Sequence, residues 1–447
     1  MRAWLSRALV YLAARACPLT HYSPDLPVAP EHRVFGARDL FTLWFSLGVG
    51  LMVLQTGALL APGLGLAHGV LAIVLGTAVG VLLLAAVAVI GADTGLSAMA
   101  SLKTSLGRQG VMLPTLLNLL QLIGWGAFEL IVMRDAASLL ATTRWGEASP
   151  LANPLLWTLA FGALATLLAV GGPLTFVRRV LRRWGIWLLL AACLWLTWNL
   201  FAKADLAALW ARAGDGSLSF AVGFDIAIAM PLSWLPLIAD YSRFGRSARQ
   251  VFTGTALGFL LGNVWLMGLG VAYTLAFAPS GETNALLLAL AGAGLGIPLL
   301  LILLDESENA FADIHSAAVS TGLLVRLKVE HLAVMVGVAC TLIAAFAPLA
   351  QYQNFLLLIG SVFAPLFGVV LVDHYLLRRR RVAGTCPAWR APAVIAWLAG
   401  IVLYHFLARY WPSVGATLPS LVMAGALHGV LSKMLSGVGA VPAGSHR

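Results

Sequence analysis

The chain has 447 residues, 60% hydrophobic and only 10% charged, with a mean hydropathy of +0.92. Soluble domains are roughly one quarter charged, so this composition excludes a soluble globular domain and calls for a bundle of membrane helices. Cys17, Cys193, Cys340 and Cys386 are scattered and form no metal-spaced pair, so neither a disulfide framework nor a zinc site is indicated.

In chain order, residues 1–39 read as an amphipathic cytoplasmic lead. Arg7 and Arg15 interrupt any signal-peptide apolar region there. Twelve spans are expected at 40–61, 68–92, 112–133, 153–171, 184–202, 218–240, 251–277, 296–322, 329–348, 352–377, 392–409 and 414–433. The shorter apolar segment 284–296 is expected as a helix on the outer face. With the N-terminus inside, 23 of the 28 Lys and Arg residues fall in inside segments. That is a strong positive-inside bias. It places both termini in the cytoplasm and accounts for the net charge of +10 without a nucleic-acid partner. The layout gives a core over 40–377, made of halves at about 40–202 and 218–377. A basic loop, two more helices and a short tail follow over 378–447.

The first span, "LWFSLGVGLMVLQTGALLAPG", carries Gly48, Gly50 and Gly57. The sixth, "VGFDIAIAMPLSWLPLIADYSRF", carries Pro231 and Pro236 around Ser233 and Trp234. A proline inside a helix frees a carbonyl, and freed groups survive in lipid only where protein or a cavity satisfies them. Spans one and six are five apart, so the halves have opposite orientation. Interrupted spans at matching positions of inverted halves point to a transport site at the midplane.

In the third span, Gln121, Trp125 and Glu129 follow an i, i+4, i+8 spacing and share one face. A carboxylate at the bilayer centre costs about 2.5–3.5 kcal/mol on insertion scales, so Glu129 is expected to face the interior. An aromatic plate beside a carboxylate suits a flat heterocycle with N–H groups on its edge. Asp225 is expected to be solvated near the outer end of span six. Asp93, Asp240 and Asp373 are expected to pair with bases such as Arg243 and Arg378. His315 and His405 are expected as buried or interfacial groups.

The densest acidic stretch is "LLDESENAFADIHS" at 303–316, with Asp305, Glu306, Glu308 and Asp313. On a helix, Asp305, Glu308 and Asn309 share a face, while Glu306 and Asp313 are offset. Periodicity leaves two readings open. The acids lie inside span eight, or residues 283–304 form that span and the acids lie in a cytoplasmic loop.

Four segments carry a family resemblance: "TGLSAMASLKTSLGRQG" (94–110) with "LNLLQLIGWGAFE" (117–129), "MPLSWLPLIADYSRFGR" (230–246), and "GSVFAPLFGVVLVDHYLLRRR" (360–380). The chain resembles the nucleobase:cation symporter-1 family from about residue 20 to 435. It is most similar to the hydroxymethylpyrimidine and cytosine permease branch. The resemblance implies an all-α membrane protein with about 12 transmembrane helices. These form a LeuT-type inverted five-plus-five repeat plus two C-terminal helices, with no enzyme activity.

It also implies a site. Trp125 and Trp234 would stack a planar base, with Ser233 and Glu129 on its edge and Gln121 and Asp305 contributing contacts. The "HSAA" segment (315–318) aligns with the family's eighth span without a gap, which favours the acids lying inside that span. Asp305, Glu308, Asn309 and Asp313, with backbone around Gly48, would then form a cation-coupling site. Glu308 and Asn309 would be candidate sodium ligands. Family members have hydroxyl residues or asparagine at matching positions; acids there can hold sodium or protons, so Na⁺ or H⁺ is the expected coupling ion and no other cofactor is implied.

The expected function is a secondary active symporter importing a pyrimidine-type heterocycle, hydroxymethylpyrimidine or cytosine. Transport of a purine, a hydantoin or allantoin, or an amino acid is the alternative. The expected setting is a bacterial-type inner membrane, with the chain a monomer or weak oligomer.

Overall fold

The computed structural model describes residues 22–173, 181, 184–277, 283–292, 296–346, 352–377 and 386–438. Outside them lie the lead before residue 22 with Cys17, the arginines at 178, 179, 182 and 183, Arg378 to Arg381, and the tail after 438. Every multi-residue element among the described residues is helical. Span 1 is two helices, Ala37–Leu47 and Leu51–Ala58, bent by 55°. Spans 2 to 5 are Ala61–Thr94, Met112–Trp145, Pro154–Gly171 and Ile186–Lys203. Span 6 is Phe220–Ser233 followed, after a turn, by Ile238–Ser242. Spans 7 to 9 are Ala248–Phe277, Ile297–Thr321 and Val329–Phe346. Span 10 is Tyr352–Leu371, extended by a π turn at Val372–Leu376. Spans 11 and 12 are Ala391–Tyr410 and Thr417–Val438. The apolar helix Thr283–Gly292 precedes span 8.

The packing shows the inverted relation of the halves. Span 1 packs on span 7, and its counterpart span 6 packs on span 2. Spans 2 and 7 pack on each other, as do the counterparts 3 and 8, and 4 and 9. Spans 1, 2, 6 and 7 thus form a bundle, and spans 3, 4, 8 and 9 a second unit facing it. Spans 11 and 12 pack mainly on span 10 and on each other. The bundle is dense because small residues let backbones approach. A Cβ at Gly270 would sit 2.0 Å from the Leu54 carbonyl oxygen, and one at Gly57 would sit 2.1 Å from that of Met267. Large side chains are turned outward on span 5, where Trp187, Leu194, Trp195 and Trp198 are exposed, as suits a lipid-facing helix.

Residues 22–36 lie across the ends of spans 2, 6 and 8. The Phe35 amide donates to the Phe244 carbonyl at 2.8 Å and the Arg246 amide to Phe35 at 2.9 Å. Arg33 donates to the carbonyls of Ala92 and Val28, Ser97 donates to the Pro24 carbonyl, and Lys103 pairs with Asp25. A strap of backbone bonds and one ion pair therefore closes the basic face of the molecule.

One sequence expectation needs correction here, and several others gain their partners. Asp225 is not solvated: it is buried, and its carboxylate accepts the amides of Ala416 and Thr417. It thereby caps the start of span 12, where Gly415 (φ 76°) turns the chain. Among the described residues, Asp93 and Asp373 meet histidines: His374 lies 3.1 Å from Asp93 and His428 lies 2.8 Å from Asp373, while Arg378 lies outside the described residues. Asp240 accepts the Ala98 amide at 2.9 Å. His315 is buried, with its Nδ1 3.2 Å from the Ala169 carbonyl.

Replacing the cap should have a measurable cost. Asp225→Ala is expected to destabilise the protein by about 0.5–2 kcal/mol, the usual worth of an N-cap. The drop should appear in thermal unfolding of the detergent-purified protein, while Asp225→Asn, whose amide oxygen still accepts, should lose less.

Candidate functional site

The break in span 1 sets the geometry. Leu51 opens a new helix, so its first amides have no carbonyl one turn back. Gly50 precedes it and offers no side chain to cap them. The cap comes from span 8. Glu306 Oε2 accepts the Leu51 amide at 2.7 Å, and Oε1 accepts the Met52 amide at 3.2 Å. Asn309, one turn along, closes on the same spot: a Cβ at Gly50 would lie 2.9 Å from its Nδ2. The missing Cβ is what admits it: at Gly50 a Cβ would lie 2.5 Å from Glu306 Oε2. Negative charge is favoured at a helix N-terminus, where the amide dipoles point outward. Sequence spacing set Glu306 aside as offset from the working face. Its signal was available only in combination, as an acid on one helix opposite an uncapped glycine break on another.

On the other side of that break, the Ser46 hydroxyl lies 2.7 Å from Asp305 Oδ1 and 2.7 Å from Glu308 Oε2. A hydroxyl has one hydrogen to donate. Two such short contacts therefore require a proton or a cation within the carboxyl pair. Asp305 Oδ2 and Glu308 Oε1 are buried without hydrogen-bond partners, which leaves two acceptors for such a charge. Ser46 was not singled out by sequence; it lies two residues before Gly48, one helical position from a break whose glycines drew the attention. Gly48 itself faces span 7, with a Cβ position 3.1 Å from the Asn263 amide nitrogen and from the Phe259 carbonyl oxygen.

Between the two broken spans and spans 3 and 8 lies a narrow cavity of about 20 Å³. Leu47, Met52 and Val53 of span 1, Ser233 and Trp234 of span 6, Trp125 and Glu129 of span 3, and Asn309 and Asp313 of span 8 line it. Glu129 Oε2 and Asn309 Oδ1 are buried there without hydrogen-bond partners. Trp125 packs edge-on against Phe355 of span 10, with ring centroids 5.3 Å apart. Trp234 packs edge-on against Trp44 at 5.7 Å. A space of this size holds roughly one water, so an aromatic ring enters only when the walls part.

The acidic stretch is helical throughout, within Ile297–Thr321, and Glu306 to Ser320 are buried. The loop reading is thereby set aside. The expected site residues are divided between two places. Trp125, Glu129, Ser233, Trp234, Asn309 and Asp313 meet at the cavity, and Asp305 and Glu308 meet at Ser46. Asp305 is therefore beside span 1 rather than in the cavity wall, and Asp313 is in the cavity wall. Gln121 lies off the cavity. It donates to Asn118 at 2.7 Å, and Asn118 bonds the Pro236 carbonyl and Ser320. This network satisfies a carbonyl in the turn of span 6.

The Gly50 contact yields a direct test. Gly50→Ala should push the Glu306 carboxylate off at least one amide and leave a buried donor unpaired, costing about 1–3 kcal/mol. Thermal unfolding reads the loss; an unchanged midpoint would show that the cap is not needed.

Comparison with known proteins agrees with this architecture. A family profile described as "Permease for cytosine/purines, uracil, thiamine, allantoin" matches residues 27–429. The cytosine permease of Escherichia coli (strain K12) is 26% identical over 363 residues, covering 78% of this chain and 82% of its own. Among solved structures, Mhp1, a nucleobase-cation-symport-1 family transporter in a closed conformation with bromovinylhydantoin bound, superposes with a TM-score of 0.77 at 17% identity, over 93% of this chain and 96% of Mhp1. A Na⁺-coupled sialic acid symporter in a substrate-bound outward-open state superposes with a TM-score of 0.66 at 13% identity, over 96% and 94% of the two chains. At these identities the two structures speak to the fold, which is the LeuT-type inverted repeat. The profile match over most of the chain carries the family: the protein belongs to the nucleobase:cation symporter family of membrane permeases and is a transporter, not an enzyme.

Proposed function

We propose that this transporter imports a small aminopyrimidine, hydroxymethylpyrimidine or cytosine, across a bacterial-type inner membrane, driven by Na⁺ or H⁺. The observation that carries the reading is the cavity at the breaks of spans 1 and 6. Two indoles from opposite units wall it, and Glu129, Ser233, Asn309 and Asp313 supply polar edges. The indoles stack the ring. A carboxyl at Glu129 engages the amino group and adjacent ring nitrogen of a 4-aminopyrimidine in parallel when one proton is shared. The acids in and beside the wall repel an anionic substrate, which weighs against an amino acid bound by its carboxylate.

The second element of the proposal is the coupling site. Ser46, Asp305 and Glu308 join span 1 of the bundle to span 8 of the facing unit. A cation there lowers the repulsion between the two acids and draws the units together. Both termini lie in the cytoplasm in this reading, in line with the basic-residue bias, and the strap over residues 22–36 then closes the inner face. Inward opening requires that strap to move with the ends of spans 2, 6 and 8.

Uptake of labelled hydroxymethylpyrimidine, cytosine and uracil into a transport-deficient host tests the substrate class. Well-expressed protein that moves no heterocycle would sink it. Trp125→Ala and Trp234→Ala should each weaken binding by about 1–3 kcal/mol, the usual worth of a base–aromatic stack, read as a shift in half-saturating substrate. In proteoliposomes with imposed gradients, Asp305→Asn and Glu308→Gln should each reduce the cation dependence. Unchanged dependence in both variants would remove the Ser46 cluster from the coupling site.

A further inference from the structure

The ends of spans 2, 7 and 10 on the basic face leave a groove that transport of a heterocycle does not use. It opens to the outside of the helix bundle and holds about 590 Å³, many times the ~30 Å³ share of one water. Ala86 and Val89 of span 2 and Phe252 of span 7 give it apolar walls, and the half-exposed ring of Tyr375 closes one side. Tyr375 belongs to the π turn Val372–Leu376 that extends span 10, a distortion that often marks a functional site. Its hydroxyl donates to the Ala86 carbonyl at 2.8 Å. The ring is thus fixed across spans 2 and 10, and its polar atom is already satisfied.

One charge stands at the rim. Arg249 is the second residue of span 7 and lines the groove. Its guanidinium is exposed and has no ion pair or side-chain hydrogen bond among the described residues. Thr253, one turn on, bonds the Arg249 carbonyl and leaves the guanidinium free. Asp93 lies one turn beyond Val89 on span 2, and it meets His374 at 3.1 Å. The groove therefore presents a cation above an apolar floor. Ala86 lies eight residues before the end of span 2 at Thr94, which is ~12 Å along the axis. That depth is close to one leaflet's half of the ~30 Å hydrocarbon core.

We propose that this groove is a binding site for an anionic phospholipid. The Arg249 guanidinium takes the phosphate in two parallel N–H···O bonds, and one acyl chain lies on Ala86, Val89 and Phe252. An arginine suits this position, because its stem lies along apolar surface while its head stays at the interface. A zwitterionic lipid carries its own cation beside the phosphate and gains less from Arg249 than a lipid of net negative charge. A soluble phosphate ester meets Arg249 but leaves the apolar walls uncovered, so the walls select the lipid. With both termini inside, the groove faces the cytoplasmic leaflet, whose surface is negative and whose anionic headgroups fill basic pockets between membrane helices. The chemistry of the groove selects the lipid; orientation says only which leaflet supplies it. The bound lipid touches spans 2 and 7 of the bundle and span 10 outside it. It therefore braces the junction already held by the Tyr375 bond to Ala86 and the His374 contact with Asp93.

Lipid binding to the delipidated full-length protein in detergent tests the site, read by native mass spectrometry. Phosphatidylglycerol should bind about fivefold or more tightly than phosphatidylcholine, and Arg249→Ala should weaken it by about fivefold, the usual worth of one basic residue at an anionic surface. Arg326→Ala removes the same charge from another exposed position on the basic face and should leave binding unchanged. Val89→Trp keeps the arginine but fills the floor, and should lose the lipid too. Equal affinity for the two lipids in the wild type, equal losses in Arg249→Ala and Arg326→Ala, or undiminished binding in Arg249→Ala or Val89→Trp overturns the site. Competition by glycerol 3-phosphate as strong as that by phosphatidylglycerol assigns Arg249 to a soluble anion and overturns the lipid. No transported substrate enters the measurement, so its outcome is independent of the heterocycle reading.

Discussion

A helix that begins in the middle of a membrane has amides with no carbonyl behind them and no water to turn to. The second half of span 1 begins in this way, and its amides are met by the carboxylate of Glu306. Much of the site follows from that contact. It requires Gly50, because a side chain would occupy the space of the carboxylate. It requires span 8 to be helical through its acidic stretch, so that Glu306 reaches span 1 from the facing unit. It also explains how so many acids are accommodated in an apolar bundle. The Glu306 carboxylate is stabilised by two amides, while Asp305 and Glu308 converge on one hydroxyl.

The two broken spans are satisfied by different means, and the difference has a functional meaning. In span 1 a charged side chain from span 8 fills the break. In span 6 the turn is supported by neutral groups: Asn118 bonds the Pro236 carbonyl, and Ser233 bonds the Met230 carbonyl. Only the first arrangement depends on charge. A change in protonation or cation occupancy therefore acts on span 1 and leaves the support of span 6 intact. This gives the bundle one switchable attachment to the unit that holds span 8, beside one fixed attachment to span 3.

The aromatic part of the site is anchored asymmetrically. Trp234 belongs to a cluster with Trp44 and Phe259 inside the bundle. Trp125 rests on Phe355 of span 10, outside the bundle. Parting the two units separates the two indoles, which opens the narrow cavity without disturbing either aromatic cluster. Span 10 is tied in turn to span 2 by His374 and Asp93, and to span 12 by Asp373 and His428. The end of span 10 is thus held to both the bundle and the C-terminal helices.

The fold class, the order of the helices and the two interrupted helices were legible in the sequence; nine described helices are long and apolar enough to cross a membrane, or up to eleven when each bent pair counts as one. Hydropathy, glycine and proline placement and the distribution of basic residues act locally and leave a readable trace. The sequence also pointed to Trp125, Glu129, Ser233 and Trp234, because helical spacing and family motifs place them together. What it left open was how the acids of span 8 are used. Helical periodicity says which residues share a face, but not which neighbour each face meets. Periodicity therefore sets Glu306 off the working face, gives no sign of Ser46, groups Gln121 with Trp125 and Glu129, and puts Asp225 near the wet outer end of span 6. Each of these depends on a partner more than a hundred residues away in sequence or on a helix crossing. Only the packed structure decides that a glycine break in span 1 and an acid in span 8 are two halves of one contact.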